Sequence, residues 1–281
     1  MRAVLRGLGI LCVALSGWAA QQAVAQGTDP DAAFVNEVIT AELPGRSISA
    51  LVTHKPGETK FTHADALFPG SPGYGNLRVE DGEIKYGQRG NFLVRARRHF
   101  LEEGFLTVVI DAPSDQQENF LHWFRESARY GEDVKGVLDA VSKKFGALDW
   151  TFVGTSEGSV SAAYVARTLS SDAKRVVLTS SLVTPSRGGR ALSAEDIRKI
   201  TAPVLWVHHR NDPCRYTQHS RVRQYAEETK TPLVTVTGAA NVRGDACQAF
   251  TEHGFVGMEA KTVKAILSWI HSGKVPADVS E

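Results

Sequence analysis

The chain has 281 residues, with 32 Lys and Arg against 31 Asp and Glu, a formal charge of +1, 42% hydrophobic residues and 22% charged ones. This balance excludes a disordered chain, which needs low hydrophobicity or a large net charge. It also excludes a nucleic-acid binder that works through bulk basic charge. A chain of this length can bury a large core and needs no metal or disulfide cage to fold.

The first residues read as a secretory signal peptide, spanning 1–25. Arg2 and Arg6 precede an apolar run from Gly7 to about Ala20, and Ala23-Val24-Ala25 before Gln26 is a small-x-small cleavage pattern. The run is shorter than the roughly 20 residues of a membrane span. An uncleaved anchor is the other reading of this segment. Leu11 before Cys12 argues against lipoprotein cleavage at that cysteine. After cleavage near Ala25 the protein is expected in the periplasm or outside the cell, with no stable membrane span. Residues 26–281 then form one domain, with its core at about 47–270. Two cysteines remain, Cys214 and Cys247. In an oxidising compartment such a pair is expected to bond, against the alternative of two buried thiols. The closed loop of about 34 residues corresponds to roughly 3–4 kcal/mol in the chain-entropy model.

Residues 27–45 read as a polar entry segment. Short apolar, β-rich runs follow at 47–53, 64–68, 106–110, 151–153, 175–178, 204–207 and 233–236. Several are apolar throughout, as strands buried on both faces are. Between them lie helical patterns. Residues 133–145 place Val134, Val137, Leu138 and Val141 on one face, and Gly146 supplies a stop. Residues 159–169 are rich in small side chains, and 216–229 and 261–270 are amphipathic. Strand and helix in alternation predict an α/β domain with a mostly parallel central sheet flanked by helices. Ligands bind beyond the carboxyl ends of such strands, so the chemistry is expected in the strand-to-helix loops.

One such loop is Gly154-Thr155-Ser156-Glu157-Gly158, between an apolar strand and a small-residue helix. A serine hydroxyl is a poor nucleophile unless it is held beside a base. A sharp strand-to-helix turn lifts Oγ clear of the sheet. Gly154 and Gly158 relieve the crowding such a turn creates, and the helix start aims N–H groups at a developing negative charge.

Asp212 lies in the turn Arg210-Asn211-Asp212-Pro213, after the strand at 204–207, on the same rim as Ser156. Asn-Asp-Pro also forms turns for purely local reasons. Among nine histidines, His253 stands in a late loop beside Gly254 and before the last helix. A solvated loop histidine is the alternative there. His208 and His209 precede the acid too closely, and the remaining histidines come before the nucleophile or fall in helical patterns.

The order Ser156, Asp212, His253 resembles the α/β-hydrolase superfamily, whose triads run nucleophile, acid, histidine. The likeness extends from about Ser47 to Ile270. It is carried by the turn around Ser156, the Pro203-Val204-Leu205 strand leading to Asp212-Pro213, and the His253-Gly254 loop. It implies that Ser156 attacks an acyl carbon, that His253 takes and returns the proton, and that Asp212 orients the imidazole. It implies two backbone donors for the oxyanion, one on Glu157 and one in the loop Phe68–Gly75. Many relatives carry His-Gly where this chain has Pro69-Gly70. The corresponding donor is Ser71, because Pro72 has no N–H. A bond between Cys214 and Cys247 would then tie the acid loop to the histidine loop.

Other features carry less. Asp111 sits near the same rim and reads as structural. Phe120, Trp123, Phe124 and Tyr130 either wall a cleft or pack onto the domain. No metal site and no cofactor is expected, since no His, Cys, Asp and Glu grouping has ligand spacing. The segment 180–201, where this superfamily often inserts a lid, is too short for a substantial cap. Arg187 and Arg190 lie on what reads as a flexible rim at 185–190. The resemblance implies a serine hydrolase acting on small or polymeric carboxylic esters; the signal peptide makes it an exported one, and the charge balance disfavours a nucleic-acid partner. An amide, peptide or thioester hydrolase with the same triad, or a silent binding protein of the same fold, are the alternatives. Oligomeric state is not legible.

Overall fold

The structure is a computed structural model that describes residues 31–186, 189–276 and 278–280. The signal peptide, Cys12, the cleavage position near Ala25, and Arg187 and Gly188 of the rim lie outside the described residues.

The first strands of the described residues form a hairpin, β1 (Val35–Leu43) and β2 (Arg46–His54), followed by β3 (His63–Phe68) and a small ribbon of β4 (Arg78–Glu80) and β5 (Glu83–Lys85). There follow α1 (Phe92–Ala96), β6 (Phe105–Ile110), α2 (His122–Arg125), α3 (Ala128–Phe145), β7 (Asp149–Thr155) and α4 (Gly158–Thr168). The second half holds β8 (Ala173–Thr179), α5 (Ala194–Arg198), β9 (Val204–His209), α6 (His219–Thr229), β10 (Leu233–Val236), α7 (Glu259–Ser272) and β11 (Asp278–Val279). Nine strands form one sheet in the order β1-β2-β6-β3-β7-β8-β9-β10-β11. Only the β1–β2 and β2–β6 pairs are antiparallel. Every other neighbouring pair in this sheet is parallel.

The apolar runs become the central strands for a simple reason. Strands β3, β6 and β9 are buried at every position, so both of their faces need hydrophobic cover. One core lies under α3, α4 and α6 and includes Val134, Val137, Val160, Ala163 and Val222. The other lies under α1 and α7 and includes Phe92, Leu93, Val263 and Ile266. Each such side chain contributes about 1.5–3 kcal/mol on burial. Helix α3 begins where the Ser127 side chain accepts from Tyr130 N and ends at Gly146, whose φ is 96°. It starts five residues before the apolar stripe predicts, because that cap lies upstream. Arg46 Nε donates to Asp133 Oδ1 at 2.8 Å, pinning α3 to β2.

Two expectations change. The segment 27–45 is not merely an entry: Val35–Leu43 adds an edge strand that pairs with β2 along its whole length. The sheet also runs past residue 270, through β11. Between β8 and β9 the described residues hold one short helix, α5, so no substantial cap covers the sheet edge.

Candidate active site

The sheet order places β3, β7, β8, β9 and β10 side by side and parallel, so the loops after them open on one rim. Loop 69–75 follows β3, Ser156 follows β7, Asp212 follows β9 and His253 follows β10.

Ser156 has φ +53°, in the left-handed region that side chains with a Cβ adopt at a cost of about 1–3 kcal/mol. The turn is held by Ser156 N donating to Thr179 O at 3.1 Å, and by Ser159 Oγ donating to Ser156 O at 2.6 Å. Both flanking glycines are required by space. A Cβ on Gly154 would lie 2.2 Å from Gly158 O, and one on Gly158 would lie 2.0 Å from Phe68 O. Gly70 presses on the serine itself, since a Cβ there would meet Ser156 Cβ at 2.9 Å.

His253 Nδ1 lies 3.0 Å from Asp212 Oδ2, and both side chains are buried. Thr217 Oγ1 donates to the same Oδ2 at 2.8 Å, and Cys214 N donates to Oδ1 at 2.9 Å. A carboxylate facing Nδ1 fixes the proton there and leaves Nε2 as an acceptor. The backbone around His253 is tied down on two sides. Ser180 Oγ donates to His253 O at 2.7 Å, and Arg95 Nη2 donates to Gly254 O at 2.5 Å.

Ser156, His253, Gly70, Ser71, Asn91, Phe92 and Cys247 line one cleft of about 70 Å³. No hydrogen bond joins Ser156 to His253 among the described residues, and free enzymes often tighten this contact only with substrate. The backbone N–H groups of Ser71 and Glu157 donate to no other backbone group among the described residues. Cys214 and Cys247 form a disulfide, with Cα atoms 4.6 Å apart, which joins the acid loop to the cleft wall ahead of His253.

Asp111 anchors rather than reacts. Its carboxylate accepts from Gly75 N and Leu77 N, each at 2.7 Å, and from Ala112 N at 2.9 Å, which holds the far end of loop 69–75. Phe120, Phe124 and Tyr130 pack into the core, whereas Trp123 is 63% exposed. His208 is buried beneath the site, where it accepts from Ser181 N at 2.8 Å; burial pushes its pKa down to about 3 against the pull of Asp212. Among the described residues no group of three or more His, Cys, Asp or Glu side chains is placed to hold a metal ion, and no helix is long and apolar enough to cross a membrane.

The sequence reasoning missed Thr217, Arg95, His122 and Arg125. Thr217 stands five residues after Asp212, and that spacing was its only signal. His122 and Arg125 carry none, because their partners are distant in sequence.

No family model matches the sequence, and no curated protein is significantly similar to it. Solved structures do match. Dienelactone hydrolase from Anabaena variabilis superposes with a TM-score of 0.57 at 14% identity, over 87% of this chain and 100% of that one. Est1E from Butyrivibrio proteoclasticus gives 0.54 at 15% identity, over 84% and 99%. The acylaminoacyl peptidase of Pyrococcus horikoshii gives 0.56 at 10% identity, over 85% of this chain and 42% of that one. The chain has the α/β-hydrolase fold. At these identities the likeness speaks for the fold, and the chemistry rests on this chain's own side chains.

Proposed function

We propose that this protein is an exported serine hydrolase that cleaves carboxylic esters through an acyl-enzyme on Ser156. The observation that carries the reading is the buried Asp212–His253 pair, 3.0 Å apart, in the same cleft as a serine at φ +53°. A strained serine beside an oriented imidazole costs stability and serves no packing purpose. The Cys214–Cys247 disulfide and the leader-like segment at 1–25 support export.

In the first step Ser156 Oγ attacks the acyl carbon while His253 Nε2 takes its proton. The carbonyl oxygen becomes an oxyanion facing the N–H groups of Ser71 and Glu157. The tetrahedral adduct collapses as His253 returns the proton to the leaving alcohol, which departs and leaves the acyl ester on Ser156. A water then gives its proton to His253 and attacks the same carbon, and this second adduct collapses as His253 passes the proton to Ser156 Oγ, releasing the acid and the free serine. Asp212 keeps the imidazole in the Nδ1–H form and stabilises its charged form throughout. The short segment between β8 and β9 leaves the site open, which suits soluble esters or accessible polymer chains.

A fluorophosphonate probe tests the reading. Wild-type protein is expected to label and Ser156→Ala is not, with the variant's turnover lower by on the order of 10⁶. Absence of labelling in folded wild type refutes it. Matched ester and amide substrates separate an esterase from a peptidase with the same residues.

A further inference from the structure

Glu157 does more than lend a backbone amide. Its side chain turns toward α2, where the carboxylate lies 2.9 Å from His122 Nε2 and 3.8 Å from Arg125 Nη2. The Ser71 hydroxyl lies near the same carboxylate and favours its charged form. Arg125 is buried, and its guanidinium reaches in three directions. Nη1 donates to Ser161 Oγ at 2.9 Å, on the helix that carries Glu157. Nη2 donates to Pro72 O at 3.4 Å, on the residue after Ser71. The guanidinium carbon lies 4.2 Å from the centre of the Phe120 ring. Loop 69–75 is wrapped closely on this cation, for a Cβ on Gly73 would lie 1.9 Å from Arg125 Nη2. His122 is covered in turn by Gly189, whose Cβ would meet His122 Cβ at 2.5 Å.

One cluster, built on the buried Arg125 and His122 and the half-buried Glu157, thus touches both segments proposed to present the oxyanion donors. We infer that Glu157, Arg125 and His122 are positioning residues, a side-chain clamp that fixes the spacing between the Ser71 and Glu157 N–H groups. The inference rests on the hydrolase reading of Ser156. A carboxylate alone beside a developing oxyanion would oppose it, and the adjacent Arg125 offsets that field. Burial raises the Glu157 carboxyl, but His122, Arg125 and Ser71 together outweigh it and hold it below the usual carboxylate range. The Glu157 carboxylate and the Arg125 guanidinium are therefore both charged at neutral pH. Negative charge on the substrate oxygen exists only in the tetrahedral state, so the spacing of the two donors acts on kcat and not on ground-state binding.

The test compares steady-state ester hydrolysis by wild type, Glu157→Ala, Glu157→Gln and Ser156→Ala. One oxyanion donor is worth about 10²–10³ in rate, and misplacing it is expected to lower kcat of Glu157→Ala by about 10–100-fold with KM within about threefold. Glu157→Gln keeps an acceptor for Ser71 and is expected to recover most of that loss. Wild-type kcat in folded Glu157→Ala, a loss in KM alone, or a Gln variant no better than Ala overturns the clamp. Should Glu157→Ala not fold, Ser71→Ala takes its place. It removes the hydroxyl and keeps the backbone N–H, and unchanged kcat there also overturns the clamp. Turnover that survives Ser156→Ala refutes the hydrolase reading instead.

Discussion

Cys214 links Asp212 to the wall of the cleft: its backbone N–H donates to the Asp212 carboxylate at 2.9 Å, and its sulfur is bonded to Cys247. The disulfide therefore ends within one hydrogen bond of the residue that orients His253. Reduction, or the pair Cys214→Ser and Cys247→Ser, is expected to lower activity at temperatures well below the melting transition. The lost loop constraint is worth roughly 3–4 kcal/mol. Activity and melting followed on the same samples check this. If the two fall together, the bond stabilises the domain without a special effect on the acid.

Replacing Gly158 by Ala sets a methyl 2.0 Å from Phe68 O, a main-chain atom that cannot swing aside. The turn must open and carry Ser156 with it. The expected result is a stability loss of about 1–3 kcal/mol, in the range of overpacked cores, together with a drop in labelling by a fluorophosphonate. Denaturant melts and labelling rates on Gly158→Ala read the two effects separately.

His208 gives a pH dependence with a definite sign. Burial holds it neutral down to about pH 3 in the folded protein, while in the unfolded chain it protonates near 6.5. Between those values the unfolded state binds the extra proton. The stabilising contribution is complete above about pH 6.5 and is lost as pH falls, by about 1.4 kcal/mol per unit. Unfolding free energy measured from pH 7 to 5 is expected to fall with a slope that His208→Gln reduces. Equal slopes would show that other groups set the acid limb.

Asp111 is expected to matter without touching substrate. Asp111→Ala strips acceptors from the amides of Gly75, Leu77 and Ala112, two of which shape the far end of the loop after β3. Leaving such donors without a partner costs about 1–3 kcal/mol apiece where no water replaces the lost acceptor. Faster hydrogen exchange at Gly75 and Leu77, with slower turnover, is the expected pattern. Asp111→Asn keeps acceptor oxygen and is expected to lose less.

The central strands were readable in the sequence because burial on both faces leaves a run such as Val204-Leu205-Trp206-Val207 with no polar residue. The edge strand β1 was not readable. Its residues are mostly exposed or half-buried, so Glu37, Thr40 and Glu42 sit among its apolar positions and hide the strand. The positions of Ser156, Asp212 and His253 were legible as loops after strands. The pairing of Asp212 with His253, far apart in the chain, was legible only through the family resemblance, and the coordinates add the 3.0 Å contact. Arg125 was invisible for the opposite reason. A buried arginine in a four-residue helix leaves no periodic trace, and its partners Pro72, Glu157 and Ser161 come from two other segments.

The close approach of Gly70 to Ser156 bears on how this cleft can change over generations or in the laboratory. Position 70 admits no side chain without moving Ser156, and Gly254 is sealed likewise, since its Cβ would fall 1.9 Å from Ala249 O. Half-buried Asn91 and Ala249 line the same space with side chains of their own, that of Asn91 also capping α1 by accepting from Leu93 N at 3.0 Å. Libraries aimed at altered substrate preference have their freedom on the wall built by those two residues, while the wall beneath the serine can only be inherited.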